Sequence, residues 1–342
     1  MNKRPTIHSV AREAGVSVST VSQVLREVGR ISDDTRRKVQ KAAKKLDYVR
    51  NRRAMAMRSG ETHDVGLLIH RIANPFNAEV VVGASSYLQE KGYLLFVLDA
   101  EDDVELQEKY LRTLIGGSAD GLLWIPATGT TEETIAWIRR NSPATITWLR
   151  TLPDHPFDHI GVDSTYGTAM ATRHLSDLGH TTIAFLGGDH LSPTINQRIG
   201  GYASVLVTKG LNSPIIRPCE ETKTDAKAAA IALCQENPEI TGIVCNCDVV
   251  AAGATLGLAH LGKRVGHDVS VVGFDDIEDS RLWEPPLSSI AVDPKGIGRQ
   301  IAEAFIARKE NPDAPVRTIS LPVRLMARAS SGPPAKGNGA DG

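Results

Sequence analysis

Val10-Ala11-Arg12-Glu13-Ala14-Gly15-Val16-Ser17-Val18-Ser19-Thr20-Val21-Ser22 is the stretch on which the fold turns. Just upstream, Thr6 can cap a helix whose apolar residues Ile7, Val10, Ala11 and Ala14 recur at i, i+3, i+4 and i+7, the one-faced helical pattern. Gly15 takes a positive φ without steric cost and stops that helix. Ser17 then caps a second helix with Val21, Val24 and Leu25 turned inward. Two short helices joined by a turn of about three residues make a helix-turn-helix. Val18, Ser19, Thr20, Ser22, Gln23 and Arg26 are left facing outward, a largely polar set suited to base edges and phosphates. A third helix, capped by Ser32 and running to about Leu46, buries Val39, Ala42, Ala43 and Leu46 and exposes Arg36, Arg37, Lys38, Lys41, Lys44 and Lys45.

Charge sets this head apart from the rest of the chain. Residues 1–60 carry 15 Lys and Arg against 5 Asp and Glu, while the remainder carries 24 against 35, so a net charge of −1 conceals a basic head (+10) on an acidic body (−11). Lys and Arg displace counterions from phosphate, so the head is the nucleic-acid candidate. At 342 residues the chain holds two or three domains. Apolar runs such as Tyr93 to Leu98 are strand-length, far short of the roughly 20 residues that span a bilayer. The basic start, Met1 to Pro5, leads into no apolar segment with a cleavage site, and four cysteines are too few for a disulfide framework. A cytoplasmic protein with no membrane span is expected.

Beyond Gly60, short apolar runs alternate with helical patterns, which predicts βαβ units in parallel sheets with helices on both faces. The predicted strands are Val65 to Ile69, Tyr93 to Leu98, Gly121 to Ile125, Ile146 to Leu149, Ile183 to Leu186, Ile215 to Arg217, Gly242 to Cys245, Val269 to Val272 and Ser289 to Val292. One long last strand is predicted near Thr318 to Leu325, and the Ser/Gly/Pro/Ala tail from Ser330 is expected to be disordered. In such sheets ligands bind at the carboxyl ends of strands.

The opening stretch, together with Tyr48-Val49-Arg50-Asn51-Arg52, Ala54 and Arg58-Ser59-Gly60, resembles the LacI/GalR family of bacterial transcription regulators. The resemblance continues through Asn74-Pro75-Phe76, Asp120-Gly121, Gly179-His180, Gly187-Gly188, Arg198 to Tyr202, Val271 to Asp276 and Pro286-Leu287. It implies an all-α head (1–47), a hinge helix (48–60) and a two-lobed periplasmic-binding-protein-like α/β core. On that template 61–162 and 292–321 form one lobe, 163–291 and 322–330 the other, and 331–342 a disordered tail.

The resemblance also assigns roles. Thr6, Ser17, Val18, Ser19, Thr20, Ser22, Gln23, Arg26, Asn51, Ala54, Met57 and Arg58 would meet DNA, with Met57 standing where the family usually wedges a Leu into the minor groove and Gln23 where it commonly has Arg. Phe76, Asn77, Trp124, Arg150, Arg198, Cys247 and Asp275 would contact an effector, a sugar or sugar phosphate held between the lobes. Cys247 replaces a common Asn and Leu149 a common Asp, while Asp248 reads as the cap of a helix beginning at Val249. Leu282 and Trp283 mark an expected dimer interface.

Other signals are weak. Gly257 to Lys263 has Walker spacing but ends in Arg264 and lies at a helix end, where Gly262 reads as a C-cap. Cys245-Asn246-Cys247 lacks a partner pair for a metal, and His155 and His159 fall in a predicted loop. No nucleophile elbow or paired carboxylate suggests catalysis, and no cofactor is expected. The expectation is a homodimeric, ligand-responsive operator-binding repressor. The competing reading is a solute receptor or sugar-processing enzyme with an incidental basic head.

Overall fold

The computed structural model describes residues 5–25, 28–49, 61–117, 119–142, 144–154, 156–188 and 192–335. Two compact units emerge, Met1–Thr62 and His63–Gly342. In the first, α1 (Ile7–Ala14), α2 (Val18–Leu25) and α3 (Asp33–Lys45) pack around buried Val10, Ala11, Val21, Val24, Val39 and Ala42. Thr6 caps α1 in a reciprocal box with Ser9, and Gly15 ends it in the left-handed conformation at φ 67°. Ser17 Oγ accepts the Thr20 N–H at 3.1 Å, and Ser32 Oγ accepts the Thr35 N–H at 3.3 Å.

The second unit carries two six-stranded sheets. The first sheet draws on β1 (Asp64–Ile69), α4 (Pro75–Glu90), β2 (Leu94–Asp99), α5 (Val104–Gly116), β3 (Gly121–Trp124), α6 (Glu132–Asn141), β4 (Thr145–Trp148) and β5 (Asp158–Val162). The chain then passes to the second lobe, which holds α7 (Ser164–Asp177), β6 (Ile183–Leu186), α8 (Pro193–Lys209), β7 (Ile215–Arg217), α9 (Lys223–Glu236), β8 (Gly242–Cys245), α10 (Asp248–His260), β9 (Ser270–Asp275) and β10 (Ser288–Ala291). It returns for α11 (Pro294–Glu310) and β11 (Thr318–Leu321), then leaves again for β12 (Arg324–Met326). The strand orders are β11-β5-β4-β3-β1-β2 and β12-β10-β9-β8-β6-β7, parallel except where β12 runs antiparallel to β10. No described helix is long and apolar enough to cross a membrane.

Four expectations need correction. The loop holding His159 is strand β5, paired with β4 and β11; Asp, His and Gly gave it no β signature, and the sheet supplies its order. The single last strand is two, because Pro322 interrupts the run and its halves join different sheets. The tail is docked as far as it is described. Ser330 Oγ donates to the Val271 carbonyl at 2.6 Å and accepts the Ser288 N–H at 2.7 Å, while Gly332 N–H donates to Ser270 Oγ at 3.0 Å. Small side chains let this backbone lie against the strand starts, whose polar groups would otherwise lack partners. Residues 336–342 lie outside the described residues. Lastly, α10 begins at Asp248 itself, and its carboxylate caps nothing in that helix: it accepts from Ile277 N–H and from the Ser280 and Ser289 hydroxyls.

Candidate functional site

Two surfaces carry the chemistry. On the head, α2 turns Val21 and Val24 into the core, which leaves Ser19 and Gln23 exposed and Val18, Thr20 and Ser22 half-buried. Ser17 Oγ lies 2.7 Å from Ser19 Oγ and 2.8 Å from Thr20 Oγ1, a chain of hydroxyls at the start of the helix. Thr6 is exposed at the start of α1. Along α3, Arg37, Lys38, Lys41, Lys44 and Lys45 are exposed; Lys38 pairs with Asp34 at 2.7 Å and Lys45 with Glu13 at 2.6 Å. The arrangement offers a short helix of neutral donors and acceptors beside a cationic one, which suits base edges next to phosphates. Arg26, Asn51, Ala54, Met57 and Arg58 lie outside the described residues.

In the second unit a cleft of about 680 Å³, including its open mouth, lies between the two sheets at the carboxyl ends of their strands. The first lobe supplies His70 and Arg71 after β1, Phe76 and Asn77 from the first turn of α4, Asp102 after β2, and Leu149 and Arg150 after β4. The second supplies Thr194, Ile195 and Arg198 from α8, Glu221 after β7, Asn246 and Cys247 after β8, and Asp275 at the end of β9. Of the residues read from sequence as effector contacts, Phe76, Asn77, Arg150, Arg198, Cys247 and Asp275 therefore meet in one cavity. Trp124 does not. Its side chain points to the other face of the first sheet, fully buried, with Nε1 donating to Gln107 Oε1 at 2.9 Å and its ring edge-on to Phe157. A strand alternates faces, so the strand end alone does not settle which way a residue points.

Arg198 anchors the second lobe's wall. Its guanidinium stacks 3.8 Å from the Phe274 ring centroid, one Nη donates to the Asn246 carbonyl, and the other lies 3.8 Å from Asp275 Oδ1. Burial pushes the Asp275 carboxyl well up; Arg198 opposes this, but the nearby carboxylates of Asp248, Glu221 and Glu79 reinforce it. Opposite, Arg150 Nη1 donates to Asp102 Oδ1 at 2.5 Å, and Asp102 also accepts the Thr128 N–H at 2.8 Å. Burial works against that charge, yet these donors outweigh it and hold the Asp102 carboxyl below its usual range. Desolvation, with Arg150 nearby, lowers His70 to about 4, so the ring is neutral, and its Nδ1 accepts the Asp102 N–H at 3.2 Å.

Several buried atoms around the cavity have no hydrogen-bond partner: Asn77 Oδ1, Arg198 Nε and Asn246 Oδ1. An unmet donor or acceptor in low dielectric costs about 1–3 kcal/mol, and a bound polar molecule relieves it. The amide donors of the two Asn residues are engaged, Asn77 Nδ2 by the His70 carbonyl at 2.7 Å and Asn246 Nδ2 by Glu221 Oε1 at 2.7 Å, so their oxygens are what the cavity presents. Sequence reasoning does not single out His70, Asp102 or Glu221, although each sits just past a strand end, and it meets Asn246 only as the middle of a metal motif. Cys245 and Cys247 on either side of it are buried in the second lobe's core, and burial pushes both thiols well up.

Residues 6–51 match the family model described as bacterial regulatory proteins, lacI family, and residues 172–331 match a periplasmic binding protein-like domain. The chain is 31% identical over 336 residues to the maltose regulon regulatory protein MalI of Escherichia coli K12, covering 95% of this chain and 98% of that one. It is 31% identical over 330 residues to the transcriptional repressor PurR of Aliivibrio fischeri, with the same coverage. Among solved structures, the lac repressor dimer bound to operator and the anti-inducer ONPF superposes with a TM-score of 0.85 at 25% identity, covering 96% of this chain and 100% of that one. The transcriptional regulator CelR in complex with cellobiose gives 0.72 at 26%, again covering 96% and 100%.

Proposed function

The chain belongs to the lacI family of bacterial regulatory proteins, and from this we propose that it is a transcription repressor that binds pseudo-palindromic operator DNA as a homodimer under the control of a small sugar-like effector. The observation that carries the reading is the outward face of α2, from Ser17 to Gln23, on a basic three-helix head. Each head places α2 in the major groove of one half-site. Thr6, Ser17, Val18, Ser19, Thr20, Ser22, Gln23 and Arg26 are assigned to that half-site, and Asn51, Ala54, Met57 and Arg58 to the hinge contact at the operator centre. Gln23 suits adenine, whose N6 and N7 match its amide. We assign 1–47 to the head, 48–60 to the hinge, 61–162 with 292–321 to the first lobe and 163–291 with 322–330 to the second.

The effector binds in the cleft against Phe76, Asn77, Arg150, Arg198, Cys247 and Asp275, and acts by differential affinity for two lobe arrangements. Leu282, at 73% exposure, fits a place in the dimer interface. The relatives named as repressors support a non-enzymatic role, and we assign the protein to the cytoplasm. Gel shifts of duplex fragments flanking its own gene test the reading. The expected result is a shifted palindrome-containing fragment whose affinity falls steeply as salt rises; equal, weak retention of every fragment would contradict it.

A further inference from the structure

Resting on the reading of the cleft as the effector site, we infer that it takes a neutral polyhydroxyl molecule and turns away the phosphorylated form of the same molecule. Two of the three cationic groups that would attract a phosphate are already committed. Arg150 is bonded to Asp102 at 2.5 Å, and Arg198 to the Asn246 carbonyl, with Asp275 3.8 Å away. Counted with Arg71 and Glu221, the lining holds three guanidinium groups and three carboxyl groups, of which burial drives that of Asp275 toward its neutral form, and its one histidine is neutral.

The local field has the wrong sign for an anion as well. Asp275, 3.8 Å from Arg198, feels the negative charge of Asp248, Glu221 and Glu79, and all three add to what burial does in raising its carboxyl. A phosphate seated on Arg198 would meet that same repulsion. The helix ends that point at the cavity offer little in return: Asn74 Oδ1 already accepts the Phe76 N–H at 3.0 Å, and Ser192 Oγ the Ile195 N–H at 3.3 Å. To bind a phosphate at Arg150 the cleft would have to strip away Asp102, leaving a buried carboxylate without its counter-charge, and at Arg198 it would have to crowd Asp275.

What the cavity does present is a mixture of open acceptors and donors. Asn77 Oδ1 and Asn246 Oδ1 accept, Arg198 Nε donates, Glu221 accepts, and the carboxyl of Asp275, driven toward its neutral form by burial, can do either. A hydroxyl group both donates and accepts, so adjacent hydroxyls on one molecule can meet all of these at once without adding charge.

Isothermal titration of the full-length protein tests this with ribose, glucose, galactose, maltose, cellobiose and myo-inositol, each set against its phosphate ester where one exists. At least one neutral member is expected to bind on the order of 100-fold more tightly than its ester. In Asp102→Asn protein, which frees Arg150, that ester gains on the order of 10-fold relative to wild type. An ester that outbinds its neutral parent, no binding by any neutral member, or an Asp102→Asn variant that gains nothing for the ester would each overturn the inference. The same preparations run in the operator gel shift keep the two readings apart: retained DNA binding with a failed titration rejects only the ligand class.

Discussion

Asp248 shows how one buried residue sets a measurable property of the molecule. It is fully buried at the start of α10, and its carboxylate gathers Ile277 N–H, Ser280 Oγ and Ser289 Oγ at 2.6–3.0 Å, tying α10 to the segment after β9 and to β10. Burial pushes it up to about 7 in spite of those three donors, with Asp276 adding to the shift. The folded state therefore holds a proton that the unfolded chain releases near 3.8, and the stability from that proton is present at low pH and lost as pH rises toward 7. His70 acts in the opposite sense. Lowered from 6.5 to about 4, it favours the folded state above its unfolded value and costs stability as pH falls from 6.5 toward 4. Across that interval the two slopes offset one another. In Asp248→Asn protein the compensation is gone, and denaturant melts between pH 4.5 and 6.5 are expected to show stability rising with pH more steeply than in wild type, by about 1.4 kcal/mol per pH unit. Parallel pH profiles in the two proteins would show that Asp248 is not the titrating group.

At the scale of elements, α4 and α11 cross so closely that backbone meets backbone. A Cβ on Gly298 would stand 2.0 Å from the Val80 carbonyl oxygen, and one on Gly83 2.0 Å from that of Lys295. Gly298→Ala is therefore expected to cost about 2–3 kcal/mol. Gly200→Ala, within α8 and facing open space, is expected to stabilise by up to about 1 kcal/mol. Urea midpoints moving in opposite directions check the pair; equal shifts would show that close approach is not what decides them. Ser330→Ala strands the Ser288 N–H and the Val271 carbonyl and should cost about 1–3 kcal/mol. The same urea series reads it, and an unchanged midpoint would mean that the tail does not brace the second lobe. Elements whose stability comes from their own pattern were readable in the chain: the head helices, with Thr6, Gly15 and Ser32 at their ends, and the apolar strands β6, β7 and β8, whose limits coincide with the predicted ones. Elements ordered by their neighbours were not. β5 carries Asp, His and Gly and exists because β4 and β11 flank it, and the tail looks unstructured until Ser270, Val271 and Ser288 bind it. Cleft residues were legible where a motif marked them, as with Arg198 and Asp275. His70 and Asp102 had no such mark, and Trp124 fell on the far side of a sheet whose facing depends on the packing of helices α5 and α6.

For the whole molecule a linkage is expected: occupation of the cleft sets how firmly the basic head holds operator DNA. Coupling free energies of this kind typically change affinity by roughly 5- to 150-fold, and they vanish if the ligand does not distinguish the two states. Arg198 is the residue through which to interrogate it, because it touches both Asp275 and the Asn246 carbonyl and lies far in sequence from the head. The most direct test is operator affinity by fluorescence anisotropy, measured on wild-type and Arg198→Ala protein with and without a saturating cleft ligand. Wild type is expected to show at least about a 5-fold ligand-dependent change and the variant none, with both proteins binding operator similarly in the absence of ligand. Operator affinity that stays constant in wild type while the cleft is demonstrably filled would contradict the linkage.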